Sequence, residues 1–222
     1  MSISGSSEPE KKSVRRKAGR PLDAAKRAAI VETAAHHFFH HGYAATAIEQ
    51  VAADAGVSKV TIYNQFGDKR ALFAAAVECE CEKMRGHFSL EGATTGSMRE
   101  RLIAIGQAVF AFLFRPEMMQ FERRIAAETE HDPAIGAAFL EAGPWRMKRA
   151  FAAYLEREAG SGALAIADPI LAAEQFVSLC KGMGDLEHRF GAAVTPEASR
   201  RRIAGAVEVF LAAYGPASRG GQ

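Results

Sequence analysis

The 222-residue sequence predicts an all-α chain: an N-terminal three-helix helix-turn-helix domain joined to a larger helical domain. Three observations carry that expectation. Apolar residues recur at spacings of three and four through alanine-rich segments with few β-branched runs, the pattern of helices that bury one face. Two short helical patterns meet at Ala55-Gly56-Val57-Ser58, as in a helix-turn-helix. Downstream, Pro116, Pro133, Pro169 and Pro196 stand at or near the starts of further periodic segments, where a fixed φ and a missing N–H are tolerated.

The first helix is expected from about Asp23 to His41, with Ile30, Ala34, Phe38 and His41 on one stripe and Phe39 beside it. In the second, Ile48, Val51, Ala52 and Ala55 share an apolar face, and Thr46 followed three residues later by Glu49 reads as a capping box. Gly56 falls where the chain stops and reverses, a place for positive φ. Ser58 caps the third helix, whose Ile62 and Phe66 lie four apart and face the core. A fourth begins at Asp68 and turns Leu72, Phe73, Ala76 and Val77 inward. After the break at 86–96, helices are expected over roughly 97–113, 117–129, 133–158, 168–190 and 196–213, with Gly160-Ser161-Gly162 as a loop. The resulting division is an arm at 1–22, a helix-turn-helix domain at 23–67, a linker helix at 68–86, a second domain at 87–215 and a tail at 216–222.

The outward side of the third helix carries Lys59, Val60, Thr61, Tyr63, Asn64 and Gln65. These offer a charge, hydrogen bonds, an apolar contact and a flat phenol, which suit a major groove and its phosphates; an ordinary solvated face of a short helix is the alternative, which the full pattern of the segment disfavours. Gly42-Tyr43, Thr46, Ala55-Gly56-Val57-Ser58, Thr61-Ile62-Tyr63, Phe66 and Lys69 together resemble the DNA-binding domain of the TetR family of bacterial transcriptional regulators, over about 50 residues from Ala25 onward. Val60 stands where many members have Gly, which implies a different base preference. The resemblance implies that Thr46, Ser58, Tyr63, Asn64 and Lys69 meet phosphates while Lys59, Val60 and Thr61 lie nearest the base edges, Gln65 serving either role.

Charge distribution points the same way. Net charge is +2, yet residues 1–27 hold eight Lys or Arg against three acids, so the remainder is negative. A basic arm rich in Ser, Gly and Pro, expected to be disordered, suits DNA phosphates. Within it Gly19-Arg20-Pro21 resembles the core of an AT-hook, which leaves Arg20 either a minor-groove insertion or part of a non-specific phosphate-binding tail.

FERRIAAETEHDP, AFLEAGP and DPILAAEQFVSLCKG resemble the C-terminal domain of an AefR-like subgroup, and the family resemblance implies a small effector and a homodimer. Phe110, Phe114, Met118, Phe121, Trp145, Phe151, Phe176 and Cys180 are the candidate effector contacts within an aromatic and methionine inventory that is mostly core. Arg123, Glu128, Gln175, Cys180 and Met183 are candidate orienting groups. The expected dimer interface is the pair of helices at about 168–190 and 196–213, through Ile170, Ala173, Phe176, Val177, Cys180 and Gly184 with Ile203, Val207, Phe210 and Leu211.

Other chemistry is not expected. His36, His37, His40 and His41 include pairs at metal-chelating spacing, but no carboxylate or cysteine joins them, so no metal or cofactor is assigned. Three cysteines, Cys79, Cys81 and Cys180, form no metal or redox pattern, and a reducing cytoplasm is expected. The apolar run from about Ala104 to Phe114 falls short of the ~20 residues needed to span a bilayer. No acid, base and nucleophile set converges, which argues against an enzyme. The expectation is a ligand-responsive regulator of transcription, most simply a repressor that binds a palindromic operator as a dimer. The alternative is an architectural DNA-binding protein with no effector.

Overall fold

The computed structural model describes residues 20–87 and 96–216, with backbone alone for 20–22 and 84–87. Among the described residues every regular element is a helix: α1 (Arg20–His41), α2 (Ile48–Asp54), α3 (Lys59–Phe66), α4 (Lys69–His87), α5 (Met98–Leu113), α6 (Pro116–Thr129), α7 (Pro133–Ala142), α8 (Pro144–Gly160), α9 (Pro169–Arg189) and α10 (Pro196–Tyr214). The all-α expectation therefore holds. α1 begins at Arg20 rather than Asp23, with Pro21 in its first turn, where a fixed φ suits a helix. Residues 20–22 are thus helix, not arm. The rest of the basic arm, the Arg20 side chain and residues 217–222 lie outside the described residues.

Two hydrophobic cores organise the helices. The first joins Ile30 and Phe38 of α1, Val51 of α2, Ile62 of α3 and Leu72 and Phe73 of α4, then continues into Phe121 and Ile125 of α6 and Ile135 of α7. The second is built from Leu102 of α5, Leu155 of α8, Phe176 and Cys180 of α9, and Ile203, Val207 and Phe210 of α10. α4 is accordingly more than a linker. It is buried along Leu72, Phe73, Ala76 and Val77, and the core it anchors crosses both expected domain boundaries.

Local signals explain where helices start. Ser58, Asp168 and Thr195 each accept a hydrogen bond from a backbone N–H of the first turn they cap, and Asp68 does the same for Ala71 at 2.7 Å. Gly56 has φ +65°, as the turn requires. Three expectations fail. Thr46 and Glu49 form no capping box, because α2 starts after Ala47 and the Thr46 hydroxyl instead donates to the Gly42 carbonyl at 2.7 Å. The single helix expected over 133–158 is two, because Pro144 supplies no N–H to continue α7 and the chain turns at Gly143 (φ −113°, ψ −93°). On α1 the buried histidine is His37, hydrogen-bonded to Asp54 at 2.7 Å, while His41 is exposed.

Phe121 is fully buried at the crossing of α1, α4, α6 and α7, with ring centroids 4.0 Å from Phe39, 6.1 Å from Phe73 and 5.7 Å from Phe139. Phe121→Ala is expected to lower stability by about 3–5 kcal/mol in urea denaturation. Because the core is continuous, the loss should appear in one transition that takes the N-terminal helices with it. A wild-type midpoint would contradict the shared core.

Candidate nucleic-acid interface and effector cavity

α3 is positioned from beneath by Ile62, which is 1% exposed, and by Arg27 of α1, whose guanidinium stacks 4.4 Å from the Phe66 ring centroid. Its other side stands clear. Val60 is 65% exposed and Tyr63 39%, and Lys59 and Asn64 are exposed beside them. At the N-terminus of α3 the Ser58 and Thr61 hydroxyls lie 2.9 Å apart. Lys59 is held by the Glu49 carboxylate, a hydrogen bond that lowers the Glu49 pKa and raises that of Lys59. Both groups are exposed, so the pair is a weak restraint that a phosphate can replace. This face presents charge, amide, phenol and methyl groups, each matched to a base edge or a phosphate oxygen.

Of the expected DNA contacts Thr46 is turned inward, while Lys69 and Gln65 are half-buried and bonded to neighbouring elements at the surface. Thr46 is 2% exposed, with its hydroxyl committed to Gly42, because the turn after α1 needs an internal donor for that carbonyl. Lys69 donates to the Ala44 carbonyl at 3.2 Å and lies 4.6 Å from the Tyr43 ring centroid. Burial pushes its pKa down, the Glu128 charge opposing. It pins the 42–44 turn to the start of α4. Gln65 donates to Asp23 at 3.2 Å, which ties α3 to the beginning of α1.

A cavity of about 500 Å³ opens between the two cores. Phe39, Val77, Met118 and Phe139 face it from the first core and Ile105, Val109, Phe151 and Val177 from the second. Of the expected effector contacts, Met118, Trp145 and Phe151 line it. Phe121, Phe176 and Cys180 do not, since each is sealed in a core. Phe110 and Phe114 stack at 4.0 Å along a separate groove beside His188 and the start of α10. None of the expected orienting groups reaches the cavity: Arg123 bonds the His188 and Arg189 carbonyls, Glu128 accepts from Ala44 N–H, and Gln175 bonds Tyr214. The polar wall is Glu80, Glu122, Lys148, Glu174, Ser178 and Lys181, none of which hydropathy patterning singles out. Cys81 and Cys180 are buried, which pushes their thiols up to about 11 and about 12 and disfavours the reactive thiolate. Among the described residues no group of His, Cys, Asp and Glu forms a metal site.

α6 joins the cavity to the N-terminal helices. Met118 and Glu122 face the cavity, while Arg124 donates to the Phe39 carbonyl at 3.0 Å and to His40, closing the C-terminal end of α1. Glu128 accepts from Ala44 N–H at 3.1 Å and lies so close to Gly42 that a Cβ there would stand 2.5 Å from its carboxylate.

The stripe expected at a dimer interface is mostly buried within the chain: Ala173, Phe176, Cys180, Gly184, Ile203, Val207 and Phe210 belong to the second core or its edge. A second, exposed line on α9 is apolar too. Leu171, Leu179, Met183, Leu186 and Phe190 are 46%, 38%, 63%, 49% and 83% exposed, with Val209 of α10 at 56%. No single helix among the described residues is long and apolar enough to cross a membrane.

Comparison with known proteins agrees with this geometry. Residues 30–76 match the family described as bacterial regulatory proteins, tetR family, and residues 100–216 match the AefR-like transcriptional repressor, C-terminal domain. The HTH-type transcriptional activator FasR of Mycolicibacterium smegmatis is 30% identical over 88 residues, 40% of each protein, so the match spans well under half of that relative's length. Among solved structures, a TetR-family transcriptional regulator from Mesorhizobium loti is 28% identical with a TM-score of 0.71, covering 87% of this chain and 98% of its own. The Flavonoid-responsive Regulator FrrA is 30% identical with a TM-score of 0.70, over 88% and 100%.

Burial of Thr46 gives a testable separation of roles. Thr46→Val removes the donor to Gly42 and is expected to cost about 1–3 kcal/mol of stability, read by chemical denaturation, with DNA affinity per folded molecule unchanged. Tyr63→Ala should do the reverse, weakening duplex binding in gel shifts while leaving the denaturation midpoint in place.

Proposed function

The chain belongs to the TetR family of bacterial regulatory proteins, with an AefR-like C-terminal domain, and from that premise we propose that it is a ligand-responsive repressor that binds a palindromic operator as a homodimer. It is a DNA-binding transcriptional regulator and not an enzyme. The exposed face of α3 supports base and phosphate contact through Ser58, Lys59, Val60, Thr61, Tyr63 and Asn64. Its proposed place of work is chromosomal DNA in the cytoplasm.

The observation that carries the ligand-responsive reading is the double engagement of α6, which lines the cavity with Met118 and Glu122 and holds the α1–α2 turn with Arg124 and Glu128. An effector acts as a population shift: it weakens DNA binding only to the extent that it prefers a head spacing unlike the ~34 Å of successive major grooves. The cavity lining supports a small, largely apolar effector, and a relative described as flavonoid-responsive supports an aromatic one. The exposed line from Leu171 to Phe190 supports dimerisation through α9 and α10, by residues other than the buried part of the expected stripe. The activator named among the relatives favours, as a second reading, positive control from the same architecture.

Selection from a random duplex pool is expected to return a palindrome with half-sites about one helical turn apart. Unrelated sequences would support the architectural alternative instead. Met183→Glu with Leu186→Glu should shift the sedimentation mass from dimer to monomer and weaken operator binding. 7-Hydroxyflavone should release wild-type protein from the selected duplex, and Arg124→Ala should bind that duplex but resist release.

A further inference from the structure

Three carboxylates face the cavity, and two are already occupied. Glu174 accepts from Lys148 at 2.9 Å, and Glu80 accepts from Lys83 at 2.9 Å with Arg115 at 3.8 Å. Glu122 differs. Its side chain keeps 23% exposure and, among the described residues, receives no hydrogen bond; Arg189 is the one cation within ion-pair reach, at 3.9 Å. Arg189 is itself bonded to Asp185 at 3.1 Å, and Lys181 pairs with the same Asp185 at 3.3 Å. The Glu122 oxygens therefore keep acceptor capacity that no protein donor uses, which a ligand donor entering the cavity can take up in place of water.

The surroundings select the kind of donor. Phe39, Phe112, Phe139, Trp145 and Phe151 wall the cavity with rings, and Met118 and Met147 add adaptable surface, so the bulk of the ligand is flat and apolar. An amine would bring a third cation beside Lys181 and Arg189, and a carboxylate would meet Glu80, Glu122 and Glu174. A neutral hydroxyl meets neither objection. Burial also raises the pKa of Glu122, the Lys181 and Arg189 charges opposing, which makes it a stronger acceptor.

We propose that Glu122 orients the effector, and that the effector is a flat aromatic molecule bearing a hydroxyl that donates to this carboxylate. The assignment rests on reading the cavity as the effector site. It places the polar recognition on α6, two residues before Arg124, so the group that reads the ligand and the group that holds α1 share one helical turn.

Trp145 is the only tryptophan in the chain and lines the cavity, so its fluorescence reports binding directly, with Trp145→Phe as the optical blank. The probes are 7-hydroxyflavone and 7-methoxyflavone, which differ in the donor and in one added methyl group, so the change in their gap on Glu122→Gln isolates the hydrogen bond. Wild type is expected to bind the hydroxy compound about tenfold or more tightly than the methoxy one, the difference a hydrogen bond to a charged acceptor makes. Glu122→Gln should narrow that gap to roughly threefold or less by weakening the hydroxy compound alone, and Glu174→Gln should leave the gap intact. Equal affinities in wild type, a gap untouched by Glu122→Gln, or a parallel fall for both flavones would overturn the Glu122 assignment while leaving the cavity reading in place. Failure of either flavone to quench Trp145 overturns both.

Discussion

The molecule depends on the burial of α6 between the DNA-reading helices and the cavity. Phe121 puts its ring against Phe39 of α1, and Arg124 and Glu128 bond the end of α1 and the turn that follows. A helix held this way cannot slide without disturbing the packing of Phe121, the half-buried Arg124–Phe39 hydrogen bond or the surface Glu128–Ala44 one. Packed interiors resist continuous deformation and switch between discrete arrangements. The reading head is therefore referenced to the cavity wall through a few rigid contacts rather than through a flexible connection.

The same constraint explains which residues near the head are structural. Thr46, Lys69 and Gln65 each give a hydrogen bond to the scaffold: to the Gly42 carbonyl, the Ala44 carbonyl and the Asp23 carboxylate. Together with the His37–Asp54 bond, they fix the 42–47 turn, α2 and α3 relative to α1. What is left exposed is a short set on one face of α3, and precision at that face follows from how little freedom the supporting side chains keep.

The helix-turn-helix was legible because its signals are local. A turn glycine with positive φ, a serine cap and an apolar pair four apart are each decided within a few residues. The cavity was not legible, because a phenylalanine in a sealed core and one on a cavity wall have the same sequence signature; Phe121 and Phe151 lie one on each side of that divide. His37 and His41 lie seven and eleven residues after Ile30, both within about 20° of the stripe, so spacing does not separate them; His41 is exposed because α1 ends there. The break between α7 and α8 was visible in Gly143-Pro144 but was overridden by continuous apolar periodicity on both sides. On α9 both faces are apolar, and periodicity alone does not say which one faces inward.

α9 also bends. At Gly182 the backbone takes φ +45° and ψ −147°, and Arg202 of α10 lies in the space left by the missing side chains of Gly182 and Gly184. The apolar ridge from Leu171 to Phe190 is consequently crooked, with Met183 just past the corner. A straight helix laid along it loses contact on one side of the corner or the other, whereas a copy of the same chain carries the matching corner. Under the proposed dimerisation through α9, the bend set at Gly182, with the room that Gly182 and Gly184 leave for Arg202, favours a partner surface bent in the same way.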